Sequence, residues 1–413
     1  MTRTDTLGGA FARYWVAVAI SAFGSAVTAV AMPVLVVQVL HATPVQVGIV
    51  NATQILPYAV IGLFAGVVVD RTARRPLAIW ASVGRAIVLG LIPVLWALGM
   101  LEIWTLAALL FLFGSFSVFG FAATQSLLPS LVSKGQLLRA NGRLDQTDAA
   151  AQTAGPALGG ALVGLLGAPL AILVDAASYL TDAVLLLFVR VAEPPRERTR
   201  RRVWADIREG LHWVYGHRTL RALAVSAQVW FFANSLVLTA FAIFALRTLD
   251  LSPAVYGLLF AASGVAAFVG ATFAPRAGHR YGEGPVIVVA MALYPVAWMA
   301  VALAPHGGGP ASIAVIAAAL VVHGFAGGLS NANEMGYRQA VTPDEQLGRT
   351  NATMRSANRT VAAVGAVAGG ALIALLGPTV ALWCGVAVYT AALAIALFSP
   401  MRTARVDRPA EAV

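Results

Sequence analysis

The sequence predicts an all-α membrane protein of twelve transmembrane helices in two pseudo-symmetric six-helix bundles. Three observations lead there. Hydrophobic residues make up 59% of the chain and charged residues 11%, against about 25% charge in soluble globules. Apolar runs of roughly 20 residues, the length that crosses about 30 Å of hydrocarbon, recur along the whole chain. Finally, RANGRLDQTDAAAQTAGPALGGALVGLLG, from Arg139 to Gly167, returns 210 residues later as RTNATMRSANRTVAAVGAVAGGALIALLG, from Arg349 to Gly377. With no gap, Asn141 falls on Asn351, Gly155 on Gly365, Gly159 and Gly160 on Gly369 and Gly370, and Gly167 on Gly377. A repeat of that length indicates one half built twice.

The spans fall at about 14–40, 46–69, 76–99, 103–125, 144–166 and 169–190 in the first half. In the second they fall at about 220–247, 253–275, 284–305, 311–334, 354–376 and 378–399. This divides the chain into an N-terminal bundle over 1–190, a linker over 191–219, a C-terminal bundle over 220–399 and a tail over 400–413. Basic residues set the orientation. With both termini cytoplasmic, the inside loops hold Arg71, Arg74, Arg75, Lys134, Arg139, Arg143, the 196–221 arginines, Arg276, Arg280, Arg338 and Arg349. The outside loops then hold only Arg247. The first apolar run is too long for a signal peptide's core and is expected to stay as a helix. The expected location is a bacterial cytoplasmic membrane, crossed many times.

The formal charge of +10 is explained by arginines kept to one membrane side, so it does not point to nucleic acid. A single cysteine, Cys384, lies in an apolar run, which excludes a disulfide frame or a thiol metal site. No Ser/His/Asp nucleophile set, H-E-x-x-H, Walker loop or metal cluster is present, so neither an enzyme nor transport driven by the chain's own ATP hydrolysis is expected. Two-fold halves inside a membrane point instead to transport.

The linker opens as EPPRERTRRR, too charged to pack, and continues as WADIREGLHWVYGH. There Trp204, Ile207, Leu211 and Val214 recur at three- and four-residue steps. That stripe suits a helix lying in the cytoplasmic interface; a plain surface linker is the alternative.

Between spans 2 and 3 stands Gly66-Val67-Val68-Val69-Asp70-Arg71-Thr72-Ala73-Arg74-Arg75. Here the chain resembles the major facilitator superfamily, whose corresponding loop reads G-x-x-x-D-R-x-G-R-R; Ala73 replaces its second glycine. Pro275, His279 and Arg280 stand at the corresponding places of the second half. Gly155-Pro156-Ala157-Leu158-Gly159-Gly160 in span 5 is similar to the G-P-x-x-G-G end of the antiporter motif of that superfamily's drug–proton exporters. Ala151, Gly155 and Gly159 form a small-residue stripe, which permits close contact with a facing helix, and Pro156 is expected to bend the span beside it. Ordinary tight packing is the other reading. ILVDAASYL in span 6 and the Asn-rich starts of spans 5 and 11 are similar to macrolide-efflux and siderophore-export relatives. The resemblance implies two bundles around a central cavity and alternating access by rocking.

Ionisable groups at membrane depth are costly and so point to function. Asp145 and Asp148 open span 5, where span 11 has Arg355 and Asn358. Asp70 is expected to pair with Arg355 or cap span 11, and the His279–Arg280 loop to face Asp145, holding the cytoplasmic side shut. Arg85 in span 3 and Asp182 in span 6 sit at similar depth, with Asp175 on the face of Asp182. They form either a structural pair or part of a proton path. His323 in span 10 is either a proton carrier or a hydrogen-bonded packing residue. Glu334 is expected to pair with Arg338.

The expected cavity wall is apolar with scattered polar anchors: Ser21, Ser25, Thr28, Asn51, Gln54, Tyr58, Trp230 and Asn234. Such walls suit bulky amphipathic ligands. The expected function is therefore export of a hydrophobic or amphipathic, drug- or antibiotic-like small molecule in exchange for protons. A dedicated metabolite or siderophore exporter, or a lipid transporter, is the alternative. The implied partners are a small-molecule substrate, protons and the lipid bilayer. No cofactor or metal is expected, a proton gradient supplies the energy, and the chain is expected to act as a monomer.

Overall fold

A computed structural model describes residues 7–62, 68–69, 71–191 and 203–406, the side chains of 203–207 and 344 excepted. Among the described residues the chain is helical without a strand. In the first half the helices are α1 (Gly8–Val34), α2 (Pro44–Val60), α3 (Arg74–Ala97), α4 (Ile103–Leu127), α5 (Leu137–Leu166) and α6 (Ala168–Leu187). The linker forms α7 (Val203–Gly216). In the second half follow α8 (Arg218–Ile243), α9 (Pro253–Tyr281), α10 (Glu283–Ala302), α11 (Pro310–Val341), α12 (Asp344–Leu376) and α13 (Pro378–Leu397). Among the described residues, 11 helices are long and apolar enough to cross a membrane. The remaining predicted span is α2, described over 17 residues; residues 63–67 and 70 of that region lie outside the described residues.

Helix ends follow local chemistry. Thr43 and Gln46 form a reciprocal capping box at the start of α2, with Thr43 N–H donating to Gln46 Oε1 at 2.8 Å and Pro44 in the first turn. The start of α5 lies seven residues before the predicted 144, and α12 starts ten before the predicted 354. Hydropathy marks only the stretch in contact with lipid, whereas a helix continues as long as one face stays covered. In α5 that face runs unbroken through Ala140, Thr147, Ala151 and Gly155, all buried.

The duplication extends beyond the sequence echo. Each bundle's first helix ends in a π-helical turn, Leu35–Val39 after α1 and Phe244–Thr248 after α8. Each is followed by a non-glycine residue at positive φ, His41 (48°) and Asp250 (51°). The α5–α6 and α12–α13 turns pass through Gly167 at φ 81° and Gly377 at φ 83°, a backbone region that glycine enters without steric cost. Packing repeats too. In the first bundle α1 packs on α5 and α6, α3 on α4 and α6, and α2 on α4. In the second, α8 packs on α12 and α13, and α10 on α11 and α13. The α9–α11 contact matches α2–α4: Gly114 faces the Gln54 carbonyl, and Gly324 faces that of Ser263.

By contacts the chain resolves into two compact units. One comprises Met1–Val203 with Asp250–Ala261, the other Trp204–Leu249 with Ala262–Val413. The first part of α9 therefore clusters with the first unit.

The linker helix forms on the stretch whose stripe predicts it. It docks on α8 and α12 of its own unit: Val214 is fully buried with Ala224 and Met354, and Glu209 pairs with Arg349 at 2.7 Å. Tyr215 accepts a hydrogen bond from Gln228. The buried side is centred on Gly210 and Val214, while Leu211 of the expected stripe is exposed. Gly210 makes the approach possible, because a Cβ there would lie 2.5 Å from Thr353 Oγ1 and 3.2 Å from the Arg349 carbonyl. Trp204 and Ile207 have side chains outside the described residues, as does the EPPRERTRRR stretch. After α13 the chain returns beneath α10. Met401 is fully buried, Gly284 N–H donates to the Ala404 carbonyl at 2.9 Å, and Glu283 accepts from Val406 N–H at 3.0 Å.

Candidate functional site

In the first bundle, charge concentrates where α1, α3 and α6 meet. Asp175 and Asp182 lie seven residues apart on α6, two helical turns, and therefore share a face. They are 0% and 3% exposed. Arg85 on α3 reaches the cluster from the side of Ser82, three residues earlier. Its guanidinium donates to Ser82 Oγ at 2.9 Å, and Ser82 Oγ donates onward to Asp182. The expected Arg85–Asp182 pair is thus relayed through a hydroxyl. The same guanidinium lies 4.1 Å from the centre of the Tyr179 ring, which sits on α6 between the two aspartates. The Tyr179 hydroxyl is 2.7 Å from Ser25 Oγ on α1, and Phe113 of α4 meets the ring edge at 5.9 Å.

Asp175 is less fully bonded. Its Oδ1 accepts from Ser178 at 3.0 Å, while its Oδ2 is buried without a hydrogen-bond partner. Thr28 stands beside it, outside hydrogen-bond geometry. Gly24 on α1 makes the close packing possible, since a Cβ there would come within 2.6 Å of Asp175 Oδ1. Two buried carboxyl groups thus share one guanidinium inside the helix bundle.

In the second bundle the corresponding region is aromatic. Tyr294 of α10 stacks on Tyr389 of α13 at 5.5 Å and 12°. Trp230 of α8 meets them at 5.3 Å and 6.4 Å, inclined by 62° to each. The Tyr389 hydroxyl donates to Asn234 Oδ1 at 3.1 Å. Trp298 Nε1–H donates to His323 Nδ1 at 3.1 Å, and His323 also faces Tyr294 at 5.1 Å. His323 thus sits in a hydrogen-bonded aromatic setting.

The two regions share one frame. Tyr179 and Tyr389 are 210 residues apart on equivalent helices, and each hydroxyl bonds a first-helix polar residue, Ser25 or Asn234. Each ring is covered by a residue of the third helix of its bundle, Arg85 in one half and Tyr294 in the other. Phe113 and His323 are again 210 apart. Where the first half has Asp175 and Asp182, the second has Gly385 and Ala392. Sequence reasoning missed Ser82, Tyr179, Tyr294, Trp298 and Tyr389. The repeat offset, applied to spans 6 and 12 as well as 5 and 11, would have singled out the two tyrosines.

The glycine motif is divided between two neighbours. Gly155 and Gly159 face α1, where a Cβ on Gly155 would overlap Ala26 and one on Gly159 would lie 3.0 Å from Val27 Cα. The same contact recurs on α12, where Gly365 and Gly369 lie against Phe232 and Leu236 of α8. Gly160 and Pro156 instead face the start of α9 within the first unit. A Cβ on Gly160 would lie 2.6 Å from the Pro253 carbonyl, and Gly257 abuts the Pro156 carbonyl.

Of the loop residues, Gly66 and Asp70 lie outside the described residues. Arg75 caps the end of α6, with its Nε donating to the Leu186 carbonyl at 2.9 Å and its terminal nitrogen to Leu187. Arg74 reaches Ser130 at 3.4 Å. Arg71, Asp145, Asp148 and Arg355 are exposed; the two aspartates sit inside α5 rather than in a loop. His279 and Arg280 close α9. Asn51, Gln54 and Tyr58 are half-buried along α2, and Tyr58 approaches Tyr179. Glu334 and Arg338 stand 4.0 Å apart.

The duplicated bundle with charge buried in one half defines a transporter of the major facilitator fold. The transmembrane secretion effector family matches residues 7–411, and the chain belongs to that family within the major facilitator superfamily. It is 25% identical over 378 residues to the uncharacterized MFS-type transporter YfiS of Bacillus subtilis, covering 89% of this chain and 87% of that one. It is 30% identical over 213 residues to the multidrug efflux pump Tap of Mycobacterium tuberculosis, a match spanning 50% of this chain and 51% of Tap. Among solved structures, a bacterial homolog of the lysosomal transporter Spinster superposes with TM-score 0.73 at 13% identity, covering 98% and 99% of the two chains. The nucleoside transporter NupG superposes with TM-score 0.71 at 11% identity, covering 94% and 98%. The protein is a multi-pass membrane transporter of small molecules, and its family and structural neighbours are transporters rather than enzymes.

Proposed function

We propose that this transporter exports hydrophobic or amphipathic, drug-like molecules across a bacterial cytoplasmic membrane in exchange for protons, by alternating access. The proposal carries with it an antibiotic-resistance phenotype, a monomer with both termini cytoplasmic and no cofactor beyond the proton gradient. One observation supports it above the rest: Asp175 and Asp182 are buried at membrane depth with Arg85 as their shared cation. The groups facing them are Ser25, Thr28 and Tyr14 on α1, Ser82 and Arg85 on α3, Tyr58 on α2 and Tyr179 on α6. A site short of one positive charge is suited to load and release a proton as its access changes. The name of Tap, at half coverage, supports the drug-like substrate.

Everted vesicles from an efflux-deficient host test this. Acidifying their interior is expected to drive accumulation of a drug-like dye, and a protonophore is expected to release it. Accumulation indifferent to the protonophore would remove proton coupling. Competition by a metabolite or siderophore alone, or flipping of a fluorescent lipid without dye uptake, would favour the alternatives. Asp70, Arg355, Asp145, His279 and Arg280 are proposed gate residues. Asp70→Asn is expected to slow accumulation several-fold, and an unchanged rate would eliminate the gate.

A further inference from the structure

The two tyrosine-centred regions have one frame and opposite chemistry. In the first bundle, fixed charges occupy it. In the second, the positions of both aspartates hold Gly385 and Ala392, and the ring of Tyr294, not a guanidinium, covers the central tyrosine. What remains there is a set of rings and unused N–H groups. We propose that the cluster of Trp230, Asn234, Tyr294, His323 and Tyr389 is a substrate subsite for a flat aromatic compound that accepts hydrogen bonds. A hydroxy- or keto-arene fits that description. The word substrate rests on the export reading above; the binding chemistry does not.

The rings supply the stacking surface. Tyr294 and Tyr389 are 2% and 1% exposed and already stacked on each other, so they form the fixed wall. Trp230 stands half-buried at the rim. None of its ring neighbours, Phe231, Tyr294 and Tyr389, lies parallel to it: the interplanar angles are 87°, 62° and 62°. No ring stacks on the indole, so a flat ligand would supply the parallel partner that it lacks.

The hydrogen-bonding groups select what the ligand carries. Trp230 Nε1–H is buried and makes no hydrogen bond; the Tyr294 hydroxyl lies near it without the right geometry. Asn234 spends its carbonyl oxygen on Tyr389, and its amide nitrogen has no partner among the described residues. His323 accepts at Nδ1 from Trp298, which assigns its own proton to Nε2, another donor without a described partner. Three donors of the cluster, Trp230 Nε1–H, the Asn234 amide and His323 Nε2–H, thus have no hydrogen-bond acceptor among the described residues. A buried polar group left unmatched is costly, so a ligand bringing acceptors gains what this cluster lacks. Glu334, the carboxylate that bears on Tyr294, stands 4.0 Å from the Arg338 guanidinium, and no carboxylate hydrogen-bonds to the cluster among the described residues. Its recognition groups are therefore neutral N–H donors and rings.

Fluorescence titration of the full chain in nanodiscs tests the assignment, with empty discs subtracted. The probe is 1,4-dihydroxyanthraquinone, and ethidium serves as a flat cation lacking carbonyl acceptors. Saturable binding of the quinone is expected, about tenfold tighter than ethidium. Trp230→Ala is expected to weaken it at least tenfold, Asn234→Ala several-fold, and Trp230→Phe about threefold, since the ring stays and the donor goes. Trp104→Ala, at an exposed position, is the control for indole loss and is expected to bind like the parent. Size-exclusion profiles and melting temperatures confirm that each variant is folded; if Trp230→Ala fails there, Trp230→Phe and Asn234→Ala decide. Absence of saturable binding, equal affinity for ethidium, or parent-like affinity in the folded Trp230 and Asn234 variants overturns the proposal. Quinone binding that depends on Trp230 in a protein without proton-driven transport would sink the export reading alone.

Discussion

Arg85→Ala is expected to remove transport and to lower the yield of folded protein. The substitution strips the single guanidinium from a cluster holding Asp175 and Asp182, which are 0% and 3% exposed. Removing one partner of a buried ion pair costs about 3–5 kcal/mol. Arg85 is itself half-buried, so the lower end, about 3 kcal/mol, applies. Arg85→Lys is expected to restore folding only in part. An ammonium lacks the flat face that lies 4.1 Å over Tyr179, and it cannot serve that ring and Ser82 at once in the same geometry. The double variant Arg85→Ala/Asp182→Asn separates the two roles of the site. It removes one charge of each sign, so folding is expected to recover toward the parent while proton-driven uptake stays absent. Melting temperature in detergent and dye accumulation in everted vesicles read these outcomes. A parent-like melting temperature for Arg85→Ala would show that the cluster is hydrated rather than desolvated, and the proton site would lose its physical basis.

Much of this architecture is legible in the sequence because its signals are local. Apolar windows count the spans, and the 210-residue echo identifies the halves. Counting residues from the membrane surface places Arg85 and Asp182 at one depth. The same count does not find Ser82, although it lies three residues before Arg85 and so on the same face. A serine in an apolar run looks like packing until its partner is known. The aromatic site was half legible. Trp230 and Asn234 stand out by their four-residue spacing, but Tyr294, Trp298 and Tyr389 lie in runs where rings are ordinary core residues. The linker shows another limit. Its docking face is centred on Gly210 and Val214, and glycine adds nothing to a hydrophobic stripe. The sequence stripe therefore favours Leu211, which the structure leaves exposed. Periodicity reports which side chains want burial, not where the absence of a side chain lets two backbones meet.

That absence matters most where α5 meets the first turns of α9. Gly160→Ala and Gly257→Ala are each expected to destabilise the protein by about 1–3 kcal/mol and to cut transport by roughly tenfold or more. A Cβ on Gly160 would lie 2.6 Å from the Pro253 carbonyl and 3.1 Å from Ala254 Cα; one on Gly257 would lie 2.9 Å from Gly160 Cα. These neighbours are backbone atoms, which have no rotamer to turn aside, so the helices themselves must separate. Gly164, one turn further along α5, is the internal control, because nothing lies within 4 Å of a Cβ built there. Gly164→Ala is expected to be neutral or slightly stabilising, by about 0.5–1 kcal/mol, since alanine is the better helix former. Because Gly160 and Gly257 act on one contact, the double alanine variant is expected to cost less than the sum of the singles. Additive losses, or a Gly160→Ala variant that behaves like Gly164→Ala, would mean that α5 and α9 do not cross on bare backbone. Non-additive loss would instead separate the last glycine of the G-P-x-x-G-G motif from the first two. Gly155 and Gly159 hold α5 against α1, a contact repeated on α12 and α8, whereas Gly160 and Pro156 face α9 in a pairing where the second half has dropped the proline for Ala366. The element that differs between the halves is therefore the one whose alteration is expected to reach transport and not stability alone.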